Sequence, residues 1–209
     1  MFKKLLLPIA ILGSSVAMAD TYDVYDYLQI SLGSVKAEQP TLARVLKNDN
    51  HFSGSDRTDG GVKIALGMKF NPYIGVEAQY VDLGESTYSF REIGYAAERM
   101  KLKSHGFGVN IVGMVPLERF SFFTKTGIHL MSTKYSFTGE SSKNSRKFIP
   151  SIGFGASYDL TYELSIVAEY ERYFGAGDNL KIKNAYSPLD RTNIKHDIDF
   201  ASLGLRYVF

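Results

Sequence analysis

The 209-residue sequence contains no cysteine and no tryptophan. The lack of cysteine excludes a disulfide framework, a thiolate metal site, a cysteine nucleophile and a lipid anchor on a leader cysteine. A net charge of one sign is also missing. The 24 basic and 22 acidic residues leave a formal +2, and Lys3 and Lys4 supply two of those positive charges within an N-terminal leader. A neutral remainder excludes global electrostatics as a route to nucleic acid, whose binding rests on a basic surface that displaces counterions. After residue 19 no stretch approaches the roughly 18–20 consecutive apolar residues of a membrane helix. That excludes a helical membrane protein but not a closed barrel, in which the strands satisfy one another's backbone groups.

Against these absences stand 14 tyrosines, 14 phenylalanines and 19 glycines scattered along the chain, a composition that favours strands over helices. The length, with 44% hydrophobic residues, suits one domain with a sizeable buried surface. Residues 1–19 combine the basic pair Lys3 and Lys4, an apolar core from Leu5 to Leu12 and Ala17-Met18-Ala19 before Asp20. This is the pattern of a secretory signal peptide, leaving residues 20–209 as the exported domain.

Within that domain apolar side chains recur with a period of two, placing them on one face of a strand. Leu28, Ile30 and Leu32 begin the series, followed by Val62, Ile64, Leu66, Met68 and Phe70, a turn at Asn71-Pro72, and the return through Ile74, Val76, Ala78 and Tyr80. A second hairpin joins Phe107, Val109 and Ile111 to residues 122–130 through 116–119, and a third joins Ile152 to Tyr158 with Leu164 to Tyr170. Ala201, Leu203, Leu205, Tyr207 and Phe209 form the last strand, which makes eight. Connections alternate between short turns near 71, 117 and 160 and longer polar stretches at about 36–59, 84–98, 138–147 and 175–195. Short periplasmic turns, long external loops and an even strand count are expected of a bacterial outer-membrane barrel.

Alternation alone does not separate a soluble barrel from a membrane one. The non-apolar face does. It carries Gly33, Ala65, Gly67, Gly75, Gly108, Gly127, Gly153, Gly155 and Gly204 with few charges, too small a set for a water-facing surface. Inside a narrow eight-stranded lumen, glycines leave room for the long side chains of Glu77, Lys125, Glu169 and Arg206. Buried there, these charges must be matched in sign and hydrogen-bonded. They are expected to plug the interior, with a proton or ion pathway as the alternative.

The chain resembles the OmpA-like outer-membrane barrel family. The resemblance rests on YIGVEAQYVDLG at 73–84, FSFFTKTGI at 120–128, YELSIVAEY at 162–170 and the terminal LGLRYVF at 203–209, and it spans nearly all of residues 26–209. It implies an all-β fold, an eight-stranded antiparallel up-and-down transmembrane β-barrel in the bacterial outer membrane. It also implies that Glu77, Lys125, Glu169 and Arg206 form the lumen charge cluster of that family, and that Phe209 with Tyr207 is the signal read by the barrel assembly machinery. The sequence ends at that aromatic without the peptidoglycan-binding domain that many relatives append, so cell-wall tethering is not implied.

Two enzyme families built on small outer-membrane barrels, a lipid A palmitoyltransferase and a lipid A deacylase, need a histidine placed with a serine. His51-Phe52-Ser53 has such a spacing but falls in the first long loop rather than on a lipid-facing strand. His105 lies beside Ser104, His129 faces the lumen and His196 sits beside Asp197. No metal-ligand spacing joins the four histidines, and neither a cofactor nor catalysis is expected. Outward parity continues upward to Lys101, Lys103 and Lys134, with Arg99, Lys143, Arg146, Lys147 and Lys195 available to the same rim. There they are placed to meet lipopolysaccharide phosphates. Phe52, Tyr186 and Leu189 in the long loops are candidate contacts for a host or surface ligand. The expected function is structural or one of surface interaction, with a low-conductance porin and a lipid A-modifying enzyme as the alternatives.

Overall fold

Alternating side chains turn into a wall only when each strand finds two neighbours, and here every long strand does. The computed structural model describes residues 25–38, 52–56, 58–90, 98–137, 143–177, 179–180, 192–193 and 196–209. Its strands are β1 (Tyr25–Ala37), β2 (Phe52–Asp56), β3 (Thr58–Lys69), β4 (Ile74–Phe90), β5 (Glu98–Leu117), β6 (Phe120–Phe137), β7 (Lys143–Asp159), β8 (Leu164–Ala176), β9 (Asn179–Leu180), β10 (Thr192–Asn193) and β11 (His196–Val208). Eight of them, β1, β3, β4, β5, β6, β7, β8 and β11, pair antiparallel with their neighbours in chain order. β4 pairs with β5, and β1 with both β3 and β11, so the barrel closes. β2 continues the line of β3 along β4, and β9 with β10 forms a separate small ribbon.

The short turns are fixed by local chemistry. Asn71 Oδ1 accepts from the backbone N–H groups of Tyr73 and Ile74, both at 2.8 Å, the Asx arrangement that closes a tight turn. Thr161 Oγ1 does the same for Glu163 and Leu164 at 3.3 and 3.0 Å. Glu118 turns the chain at φ 54° between β5 and β6. The chain terminus lies at this same end, where the Phe209 N–H donates to the Asp26 carbonyl at 2.9 Å.

The two faces of the wall differ as the period of two requires. Ile30, Leu32, Phe107, Val109, Ile111, Phe154 and Leu203 point outward and are all at least half exposed. An apolar belt of that extent is untenable in water and belongs in hydrocarbon. Inward, Gln29, Lys63, Glu77, Gln79, Lys125, Glu169, Glu171 and Arg206 are buried.

Beyond the belt the pattern inverts. On β4, Val81 and Leu83 point inward and are buried while Asp82 points outward; on β6, inward Met131 neighbours Ser132; on β11, inward Ile198 and Phe200 flank outward Asp199. Above the membrane the wall therefore comes close to a water-soluble barrel, mostly apolar inside and polar outside, with Ser104 and Thr133 as an inward polar pair 3.1 Å apart. The polar stretch expected at 84–98 as loop is shorter than that: β4 runs on to Phe90 and β5 begins at Glu98. β5 has 20 residues and β6 has 18, against the roughly 9–11 that cross a bilayer. β1, β8 and β11 have 13 each, so the rim is tall over β4 to β7 and low over β8, β11 and β1.

Candidate functional site

All eight barrel strands contribute to one buried polar layer in the lumen. At its centre is Lys125 on β6, whose Nζ lies 2.9 Å from Glu77 Oε1 on β4 and 3.4 Å from Glu171 Oε1 on β8, and also contacts Glu169 Oε1. Lys63 on β3 completes the group with Nζ 2.5 Å from Glu169 Oε2 and 2.9 Å from Glu171 Oε2. Two ammonium groups thus hold three carboxylates. The remaining lone pairs are taken by neutral donors: Tyr27 Oη donates to Glu77 at 2.9 Å, Gln79 Nε2 to Glu171 at 3.1 Å, Tyr173 Oη to Glu171 at 3.1 Å and Asn110 Nδ2 to Glu77 at 3.4 Å. Such satisfaction is the condition under which buried charges persist.

Arg206 on β11 brings a third cation, which touches no carboxylate among the described residues. Its Nε and Nη2 donate to Gln29 Oε1 at 3.1 and 2.8 Å, and Gln29 Nε2 in turn donates to Glu169 Oε2 at 3.1 Å. The guanidinium lies between two rings, 4.5 Å from the Tyr27 centroid and 5.2 Å from that of Phe123, a cation–π arrangement suited to a flat, weakly hydrated ion. With Arg206 included, three cations face three carboxylates. β7 contributes space: a Cβ on Gly153 would sit 2.9 Å from Glu171 Cγ and 3.1 Å from Lys125 Cγ. Gly67 and Gly108 serve likewise, because side chains there would overlap the Tyr27 and His129 rings.

Apolar layers cover this ionic layer on both sides. Toward the short turns lie Val112, Met114, Phe123 and Val167. Toward the long connections lie Val35, Val81, Leu83, Met131, Ile149, Tyr173, Ile198 and Phe200. His129 stands at the upper boundary, edge-on to Tyr173 with centroids 5.1 Å apart and Nε2 2.9 Å from Gln79 Nε2.

Of the lumen residues singled out in the sequence, Glu77, Lys125 and Glu169 meet directly, while Arg206 joins them only through Gln29. The sequence reading missed Lys63, Glu171, Gln29 and Gln79. Parity was the available signal, since Glu171 lies two residues beyond Glu169 and Lys63 sits between outward Val62 and Ile64.

At the rim Lys101, Lys103 and Lys134 are exposed. Lys101 pairs with Glu85 at 2.6 Å, Lys103 reaches Asp82 at 3.9 Å, and no carboxylate meets Lys134 among the described residues. Lys103 and Lys134 stand directly opposite each other on β5 and β6. Arg146 is exposed and Lys147 half-buried on β7. The low side of the rim is different: Arg172 is held by Glu38, Asp197 and Asp199 at 2.5, 3.0 and 3.4 Å.

Tyr207 and Phe209 point outward beside the short turns, their rings edge-to-face at 5.5 Å, and Tyr207 Oη donates to Glu163 at 3.0 Å. The histidine–serine pairings do not assemble where they are described. Ser104 is buried in the lumen while His105 points outward on the next residue of β5, and His129 bonds to Gln79. His51, Tyr186, Leu189, Lys195 and the leader 1–19 lie outside the described residues.

The profile of the outer membrane protein beta-barrel domain family matches residues 5–209. An uncharacterized protein of Coxiella burnetii is 24% identical over 201 residues, covering 79% of this chain and 75% of its own. Among solved structures the barrel is similar to OprG of Pseudomonas aeruginosa (TM-score 0.58, 11% identity, 90% of this chain and 97% of that one). It is also similar to Neisserial surface protein A (TM-score 0.56, 16% identity, 88% and 97%). A third likeness is to Ail of Yersinia pestis, solved in complex with the heparin analogue sucrose octasulfate (TM-score 0.52, 16% identity, 90% and 99%).

Proposed function

The chain belongs to the outer membrane protein β-barrel domain family and is a protein of the bacterial outer membrane, and from that premise we propose that it is non-enzymatic, with a structural or surface-interaction role. The observation that carries this proposal is the filled lumen. A pore needs a continuous wet path, whereas here an ionic layer with matched charges lies between two apolar ones. The cluster of Glu77, Lys125, Glu169 and Arg206, extended by Lys63 and Glu171, acts in this reading as a plug that fixes the interior, and the porin alternative loses its path. Proteoliposomes carrying the full chain should take up small sugars no faster than protein-free vesicles. Uptake matching that of an equal number of porin molecules would overturn the proposal.

The tall side of the rim is assigned to lipopolysaccharide phosphates. Like charges directly opposite on neighbouring strands destabilise a sheet, and an anion between Lys103 and Lys134 relieves that repulsion. Lys101 adds a third cation whose exposed pairing with Glu85 is weak enough to exchange. Charge reversal at Lys101, Lys103 and Lys134 should lower lipopolysaccharide co-purification; an unchanged yield contradicts the assignment. Tyr207 and Phe209 are assigned to recognition by the barrel assembly machinery. Phe209→Ala should lower the folded fraction in the outer membrane more than it slows refolding in detergent, and equal effects would argue against that role.

A further inference from the structure

The outward face of the tall wall changes character between one row of side chains and the next. Tyr80 on β4, Phe107 on β5, Leu130 on β6 and Phe148 on β7 stand opposite one another in register, all exposed, as the last apolar row. Two residues further up each strand the row is Asp82, His105, Ser132 and Arg146. A pleated strand returns to the same face at every second residue. This second row therefore lies directly on the apolar belt, at the level where lipid headgroups begin.

His105, half-buried, has Asp82 directly opposite on β4 and Ser132 directly opposite on β6, and side chains so placed have Cβ atoms about 4.5–5.5 Å apart. The charged groups around the imidazole are Asp82 and Glu85 on β4, Lys101 and Lys103 on its own strand, Lys134 on β6 and Arg146 on β7. Glu85 is taken by Lys101 at 2.6 Å, which leaves Asp82 as the acid facing His105 among the described residues. Its carboxylate is divided: Oδ1 accepts from the Gly84 N–H at 3.1 Å, and Oδ2 lies 3.9 Å from Lys103 Nζ. That second separation exceeds hydrogen-bonding range, so Oδ2 is held loosely and is able to change partner.

We infer that His105 is a proton-controlled member of the phosphate site assigned to Lys103 and Lys134, so that the barrel holds the phosphorylated headgroup of lipopolysaccharide more tightly in acid; the inference rests on that assignment and adds its regulation. Histidine is the side chain whose charge ordinarily changes between about pH 5 and 8. Once protonated, His105 draws Asp82 Oδ2 away from Lys103, and Lys103 then faces the phosphate without a competing carboxylate. With His105 neutral, Asp82 stays with Lys103 and the site is weaker by one positive charge. Linkage requires the reverse as well, a bound phosphate strengthening proton binding at His105. Proton and anionic ligand favour each other, and affinity rises as pH falls.

The test uses the full chain in phosphatidylcholine nanodiscs, titrated at about pH 5.5 and 8 with diphosphoryl lipid A or with the same lipid stripped of its phosphates. On going from the higher pH to the lower, affinity for diphosphoryl lipid A should rise about threefold to fivefold more in the unaltered protein than in His105→Gln. Comparing the two cancels the phosphate's own titration near pH 6. Asp82→Asn keeps the acceptor for Gly84 but has Lys103 already released. It should bind more tightly than the unaltered protein at the higher pH and respond less to acid, and weaker binding there would contradict the inference. An equal pH response in the unaltered protein and His105→Gln would overturn it and leave the phosphate assignment standing. No preference for the phosphorylated lipid at either pH would remove the assignment and the inference together. Displacement of bound lipid by an equal concentration of inorganic phosphate would overturn the headgroup as the ligand in favour of the free ion.

Discussion

The lumen and the rim use the same chemistry in opposite environments. Lys63 and Lys125 pair with glutamates at 0% and 2% side-chain exposure, whereas Lys101 and Lys103 pair with Glu85 and Asp82 at 51% and 53%. In the lumen each charge has lost its water and depends wholly on its partners, so removing one strands the others. At the rim water and salt replace a lost partner at little cost. The difference divides the molecule's tasks: the buried ions hold a shape, and the exposed ones are free to exchange partners, which is what a binding surface needs.

Lys125→Ala should break this contrast most severely. It removes the one ammonium that touches Glu77, Glu169 and Glu171 together, and should cost about 3–5 kcal/mol in urea unfolding from lipid vesicles. Adding Glu77→Gln should recover part of the loss by removing an uncompensated charge. Phe200→Ala opens the outer apolar layer and should cost about 3 kcal/mol in the same assay. Arg206→Met keeps the packing between Tyr27 and Phe123 but surrenders the cation–π contacts and leaves Gln29 Oε1 without a donor, for about 1–2 kcal/mol. Lys101→Ala at the rim should change stability by less than about 0.5 kcal/mol, with that small effect fading as salt is added. A rim effect as large as the lumen one would remove the distinction between the two regions.

Much of the fold was legible in the sequence because a strand in hydrocarbon has no freedom in its pattern. The runs Val62 to Phe70, Ile74 to Tyr80 and Phe107 to Ile111 alternate cleanly, and Asn71-Pro72 marks its turn, so eight strands and their order followed. The same rule hid what lies above the membrane. There the alternation changes sign, so the polar stretches 84–98 and 138–147 read as loop although β4 runs on to Phe90 and β7 begins at Lys143. Within the lumen, parity found Glu77, Lys125 and Glu169 but gave no sign that Gln29 and the rings of Tyr27 and Phe123, rather than a carboxylate, would hold Arg206. That arrangement depends on which strands face one another across the barrel, and a single sequence carries no such distance.

Single-channel recording of the full chain in planar lipid bilayers tests the sealed lumen most directly. The ionic layer between two apolar layers predicts a silent membrane for the unaltered protein and openings once Lys125→Ala and Phe200→Ala are combined. Stable, ohmic conductance from the unaltered protein would contradict it.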